Sequence, residues 1–448
     1  MKPGSLSFNI NYPMKKILII CPVIIMIIAA MAFIKPVAKP TKRYLVTAYG
    51  AKGDGATLNT QAIQKTIDEC SAKGGGVVVI PKGIFRSGAI FLKKGVDLYI
   101  EKNGVLKGSA DQQDYPQIAT RWEGEERQWT SAFVNIIDQE GTHISGEGTI
   151  DGSGDVWESR SPRRMGGGAV SGAGTNVSAA VSRPAGPRLG RPRLICFQNC
   201  KHVVIENLHL HNQAVWCLHI LYSTDVTARN LNITANHNIP SSDGIDVDSS
   251  NGTHITKCFI DVNDDCISIK SGKDDDGRRV NRPCENVLID DCHFAYGHGG
   301  VAMGSEVTGG IKNVMINNCV MDGSNWAPIR FKSQPSRGGV VENITYQNIE
   351  LKDTKKAFEF NMAWRLVGTV REAAKVPTIV RNILIKNVSG TVATVGDMSG
   401  LDNSPIEGVK FVDCNIKAQT GLVLHNVTKL DTAGLNITVA SGPKVVMR

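Results

Sequence analysis

The chain has 448 residues, 42% of them hydrophobic, with 46 glycines and only 6% aromatics. That length and apolar content exclude a disordered polymer, and the glycine-rich, aromatic-poor balance suits many short strands joined by turns. A formal net charge of +8 favours anionic partners, among them nucleic acid, a membrane surface or an acidic polysaccharide.

In chain order, Lys15 and Lys16 precede an apolar run from Ile17 to Ile34 containing Ala30-Met31-Ala32, the outline of an export signal. Residues 1–13 lack signal character, which makes Met14 the candidate start. The run is also long enough to be an uncleaved anchor, so residues 1–34 are expected to be a signal peptide or a membrane anchor through 17–34. Either places the protein outside the cytoplasm, periplasmic or secreted. Residues 35–43 read as a Lys/Pro linker and residues 44–448 as one domain. Export permits disulfides, yet the ten cysteines beyond Cys21 include no CxxC pair and no Cys/His zinc spacing. Most are expected to be buried apolar thiols, with room for one or two disulfides.

A helix is expected over Thr60–Ala72, with Thr60 as its cap, Ile63 and Ile67 on its apolar face and Gly74-Gly75-Gly76 ending it. Strands are expected at Val77–Ile80, Ala89–Leu92, Val96–Ile100 and Val105–Leu106. Such a helix would cap the open end of a stack of strands. The Gly/Ser/Arg-rich stretch 160–191 reads as a long solvated loop, with a polyanion-binding flap at Arg160, Arg163 and Arg164 as the alternative.

From residue 202 the chain repeats. His202–Leu208, Asp225–Leu231, Thr253–Cys258, Asn286–Cys292, Asn313–Cys319, Asn343–Ile349, Asn382–Val388 and Gly408–Cys414 are each a short alternating strand ending in a turn. One such unit cannot bury its own apolar face, so the units are expected to stack as a solenoid. This gives an all-β, right-handed parallel β-helix with an N-terminal capping helix. Asn207, Asn230, Asn318, Asn348 and Asn387 would form a hydrogen-bonded ladder along one turn of the stack.

Equal offsets from that ladder point into one groove. Asp243, Asp264, Asp265 and His298 on neighbouring coils, with Arg330 and Lys332 beyond them, would converge on one surface. Glycoside hydrolysis needs such a set: a protonated carboxyl for the leaving oxygen, a carboxylate to activate water, and cations when the sugar is a uronic acid.

At these residues the chain resembles glycoside hydrolase family 28, the polygalacturonase family. Asn263-Asp264-Asp265-Cys266, Gly297-His298-Gly299-Gly300 and Arg330-Phe331-Lys332 match its motifs in order, and Gly50–Gly55 matches its amino-terminal segment. The resemblance implies an inverting hydrolase of α-linked galacturonic acid bonds in pectin, of the polygalacturonase or exo-galacturonidase type. It makes Asp264 the general acid, Asp243 and Asp265 the holders of water, and His298 the support for the acid's protonation. Arg330, Lys332, Lys270 and Ser241 become substrate contacts. No metal-ligand set is evident and every role is filled by a side chain, so no metal and no cofactor are expected, and the chain is expected to be a monomer. Inversion would place Asp264 roughly 6.5–9.5 Å from its carboxylate partners. Ser241-Ser242-Asp243 departs from the family's common Asn-Thr-Asp, which opens rhamnogalacturonan hydrolysis or rhamnogalacturonan galacturonidase activity as alternatives.

Asp246 and Asp248 are equally readable as structural. Lys273–Arg279 lacks the glutamate and spacing of a calcium loop and reads as a polar loop beside the cleft. Trp364 fits either sugar stacking or packing. A calcium-dependent pectate lyase and a non-catalytic glycan-binding β-helix are the rival functions. The few aromatics and the export signal disfavour nucleic acid.

Overall fold

The computed structural model describes residues 42–160, 190–323, 326–365 and 371–448. The expected signal or anchor, almost all of the linker and the interior of the 160–191 loop lie outside them. Arg43, assigned to the linker, opens the first strand, Arg43–Leu45, which pairs with Gly76–Ile80. No helix among the described residues is long and apolar enough to cross a membrane.

Among the described residues, thirty-two strands form one parallel sheet that winds as a right-handed β-helix. Each repeat unit pairs in register with the next. Ile205, Ala228, Ile255, Ile289, Ile316, Tyr346, Ile385 and Phe411 make one continuous column, and all are buried. Residues two positions earlier, from Val203 to Val409, make a second inward column, and the intervening side chains face out, as the period of two requires. Each large aliphatic side chain in these columns stabilises the fold by about 1.5–3 kcal/mol relative to exposure.

The turns carry the asparagines because these positions have left-handed backbone, as at Asn207 (φ 61°), Asn230 (φ 50°) and Asn348 (φ 54°). Asn230 donates to Asn207 at 2.7 Å and Asn387 to Asn348 at 2.7 Å, but Asn318 donates to Asp291 and Asn348 to Asn317. A second ladder, Asn251–Asn286–Asn313–Asn343–Asn382, runs along the strand starts. The ten described cysteines are free and buried.

The helix spans Thr60–Ala72 as expected, but Asn59 is its cap position and makes no side-chain capping bond. The Thr60 hydroxyl instead accepts from Gly88 N at 2.7 Å, tying the helix to the adjoining coil. Two elements depart from expectation. Asp274–Val280 is a short helix rather than a loop, with three aspartates in its first turn and Arg278 and Arg279 in its last. Gln117–Trp122 and Glu125–Thr130 form an antiparallel hairpin outside the coils.

Candidate active site

Parallel pairing fixes which residues meet in the groove. Leu194 N donates to Trp216 O, Cys217 N to Asp243 O, Gly244 N to Asp265 O and Cys266 N to Gly299 O, at 2.8–3.0 Å. Trp216, Asp243, Asp265 and Gly299 therefore occupy one position on consecutive coils, just before the strands Leu218–Leu221, Ile245–Asp248, Ile267–Lys270 and Val301–Met303. One carboxylate oxygen each from Asp243, Asp264 and Asp265 lies within 4.8 Å of the others. This is closer than the separation expected for inversion. Stacking sets the approach of Asp243 to Asp265, since neighbouring coils are only about 4.8 Å apart, and Asp264 is the chain neighbour of Asp265 on the same coil.

Asp265 is fully buried and is ion-paired with Lys332 Nζ at 2.5 Å and Arg330 Nη1 at 3.3 Å. Arg330 also gives its Nε to Glu359 at 2.8 Å. Gly299 permits this contact: a Cβ there would stand 2.9 Å from Asp265 Oδ1 and 3.3 Å from Arg330 Cδ. Trp364 covers both cations, its ring centre 4.7 Å from the Arg330 guanidinium and 5.9 Å from Lys332 Nζ. The two residues expected to hold substrate thus also fix the Asp265 carboxylate.

Lys270 is buried among acids, 3.2 Å from Glu306, 3.4 Å from Asp246 and 3.8 Å from Asp243, with its ammonium 4.9 Å from the Trp216 ring centre. Burial opposes its charge, but Glu306, Asp246 and Asp243 together hold its pKa well above the ordinary lysine value. Glu306 is correspondingly depressed to about 2, against its burial, by Lys270 and Arg337.

The protons are unevenly spread. Burial, then the charges of Asp246 and Asp264, push the Asp243 carboxyl well above the usual carboxylate range despite Lys270. Burial likewise raises Asp246 to about 7, against Lys270. Asp264 goes the other way: burial works to raise it, but the His298 hydrogen bond and charge, with Lys332 and Arg330, hold it well below. His298 Nδ1 lies 3.4 Å from Asp264 Oδ1, and this contact raises the imidazole against its burial. The raised carboxyl is Asp243, while Asp264 is lowered and faces the raised imidazole of His298. The Asp264 side chain, one quarter exposed, is the most accessible of the three aspartates.

Ser241 sits half-buried at φ 57°, and the next residue takes the structural duty: Ser242 Oγ donates to Ile239 O and accepts from Asn263 N. Asp248 belongs to the scaffold, paired with buried Arg121 at 2.7 Å. Trp216, Glu306 and Glu359 escaped the motif reading. Period alone marks Trp216, 27 residues before Asp243, but Glu306 and Glu359 follow insertions of unequal length.

The model of glycosyl hydrolases family 28 matches residues 70–434. A probable polygalacturonase of Vitis vinifera is 29% identical over 88% of this chain and 78% of its own. An exo-poly-alpha-D-galacturonosidase of Dickeya chrysanthemi is 29% identical over 87% and 69%. Among solved structures, a hyperthermoactive exopolygalacturonase from Thermotoga maritima superposes with a TM-score of 0.75 at 29% identity, covering 86% of this chain and 92% of that one. A family model spanning these coils, on a groove that gathers the motif residues, establishes that the chain belongs to glycosyl hydrolase family 28.

Proposed function

We propose that the protein hydrolyses the α-linked galacturonic acid bonds of pectin with inversion at the anomeric carbon. The observation that carries the hydrolase reading is the triad Asp243, Asp264 and Asp265, gathered within 4.8 Å and bordered by His298, Arg330 and Lys332; inversion rests on the family resemblance and not on that spacing. Polygalacturonase relatives over most of the chain support the substrate class.

As the glycosidic oxygen settles against Asp264, the proton of the His298 imidazolium passes through the Asp264 carboxyl to that oxygen, and the C–O bond electrons leave with it. Asp265, with Asp243 beside it, orients a water on the other face and accepts its proton as the water's oxygen bonds to the anomeric carbon. A uronate carboxylate meets the positive side of the groove at Arg330 and Lys332. Incubation with polygalacturonate should release new reducing ends. The Asp264→Asn variant should lose about 10²–10⁴ of the rate while keeping its circular dichroism spectrum.

Rhamnogalacturonan is the second reading, motivated by Ser241-Ser242 in place of the commoner Asn-Thr. Comparing kcat/KM on the two polymers decides between them. The Lys15-Lys16 pair and the apolar run after it support export, which cell fractionation tests. A monomer is expected on size-exclusion chromatography.

A further inference from the structure

The antiparallel hairpin has two different faces. In its ladder Ala119 pairs with Gln128 and Arg121 with Glu126, so these four side chains share one face, while Trp122 and Trp129 lie on the other. The tryptophan face packs on Trp216, just before the strand Leu218–Leu221, with the Trp122 and Trp216 ring centres 4.7 Å apart. The opposite face meets the turns at the far ends of the strands. There Tyr222 Oη donates to Glu126 at 2.7 Å, and Gln198 Nε2 donates to Ala119 O at 3.2 Å.

A cavity of about 650 Å³ opens on that second face, between the hairpin, the turn at Gln198 and Asn199, Tyr222 and Arg282. Its size falls among small-ligand sites, roughly 300–1,000 Å³. Tyr222 N donates to Asp248 O at 3.0 Å, at the end of the strand Ile245–Asp248 that Asp243 precedes. The length of that strand, about 13 Å, and the buried Arg121–Asp248 pair therefore separate the cavity from the aspartates. Arg127, Arg279 and Arg282 line it against a single acid, Glu126. Arg279 is held by Glu126 and Asp276, and Arg127 by Glu125. Arg282 has no carboxylate at ion-pair distance among the described residues; it donates to Tyr222 O at 2.8 Å and lies 5.1 Å from that ring's centre. Burial pushes its guanidinium below the ordinary arginine value, a cost that an incoming anion offsets. Gln198 Oε1 is buried without a hydrogen-bond partner. A cation without a carboxylate and an unsatisfied amide oxygen suit a carboxylate and a hydroxyl, the two groups that a uronic acid ring carries together.

We propose that this cavity is a second, non-catalytic site for an acidic oligosaccharide, in which Arg282 takes a uronate carboxylate and Gln198 and Gln128 take ring hydroxyls. That the ligand is a stretch of the enzyme's own polymer rests on the galacturonan-hydrolase reading above. A chain held there keeps other parts of the same polymer at raised local concentration beside the groove, without itself meeting the aspartates. A bare inorganic anion would satisfy Arg282 but leave the two glutamine amides unused.

The test titrates tetragalacturonate by calorimetry into the Asp264→Asn protein, which does not consume the ligand. Two sites should be seen. Adding Arg282→Gln should weaken one of them by about 10- to 100-fold, the worth of a charge-assisted hydrogen bond. Gln128→Ala, at an exposed position, should weaken the same site less. Hydrogen exchange should show the oligomer protecting residues 198–199 and 279–282 as well as the groove. One site only, or two sites that Arg282→Gln leaves unchanged, overturns the inference. Protection confined to the groove overturns it even where the variants fail to fold. Displacement from the second site by sulfate at the oligomer's own concentration makes it a plain anion site and overturns the saccharide assignment. Reducing ends released from polygalacturonate by the wild-type protein are followed alongside: their absence sinks the hydrolase reading, whereas the lack of a second site alone leaves that reading standing.

Discussion

The Nδ1 atom of His298 lies 3.4 Å from Oδ1 of Asp264, a contact that raises the imidazole against its burial and holds the carboxyl below its usual range. His298 is raised above the ordinary histidine value, so its proton persists above that value and leaves as pH rises through the raised pKa. Proton delivery should therefore fail on the alkaline side of the rate profile. In His298→Gln this source of protons is gone, and kcat should fall by about 10²–10⁴. The alkaline limb should move to lower pH, as measured in profiles of kcat. An unmoved limb would remove His298 from the proton path.

Lys270 is the cation placed against both Asp243 and Asp246, at 3.8 and 3.4 Å. Both carboxyls are already raised by burial, and Lys270 restrains the rise. In Lys270→Met they should rise further, so any step needing an ionised cluster should require higher pH. The acid limb of kcat/KM should move up, and a variant with an unchanged limb would show that Lys270 only fills space.

Arg330 joins Asp265 to Glu359 through two edges of one guanidinium. Arg330→Lys keeps the charge but loses the fork. It should lower kcat by about 10²-fold, comparable to the cost of misplacing a reacting group by an ångström. Glu359→Gln should reproduce part of that loss without touching substrate. Double-mutant analysis should then show the two losses to be less than additive. Effects confined to KM would instead return Arg330 to substrate binding alone.

The Arg121–Asp248 pair is fully buried and ties the hairpin to the coil stack. Removing one partner leaves an uncompensated charge, so Asp248→Ala should destabilise the fold by about 3–5 kcal/mol, read as a lowered denaturation midpoint. A change under about 1 kcal/mol would mean that the hairpin is only loosely attached.

Activity should survive EDTA. The three aspartates are close enough to face a cation, but every step assigned here uses a side chain, with Lys332, Arg330 and Lys270 already placed against the acids. Activity lost to EDTA and restored by calcium would favour elimination over hydrolysis.

The coils were legible because each repeats a strict alternation whose apolar columns align, as from Ile205 to Phe411. The turn asparagines were legible because left-handed backbone favours them, although the exact partners depended on local side-chain reach at Asn317 and Asp291. The motif residues Asp243, Asp264, Asp265, His298, Arg330 and Lys332 do converge. What periodicity could not supply was the hairpin: Gln117–Thr130 belongs to no repeat, and its packing on Trp216 depends on contacts between residues nearly a hundred positions apart. Nor could spacing reveal that Arg330 and Lys332 would be paired with Asp265, since sequence order shows charge but not where a side chain finds its partner.

Time-resolved proton NMR of a galacturonate oligomer during its first turnovers reads the chemistry and stereochemistry of cleavage together. Inverting hydrolysis predicts that the newly formed reducing sugar emerges as the β-anomer and then mutarotates, with no unsaturated ring signal. The close spacing of Asp243, Asp264 and Asp265 makes this measurement the arbiter of stereochemistry. An initial α-anomer would contradict the single-displacement account, and an unsaturated product would contradict hydrolysis itself.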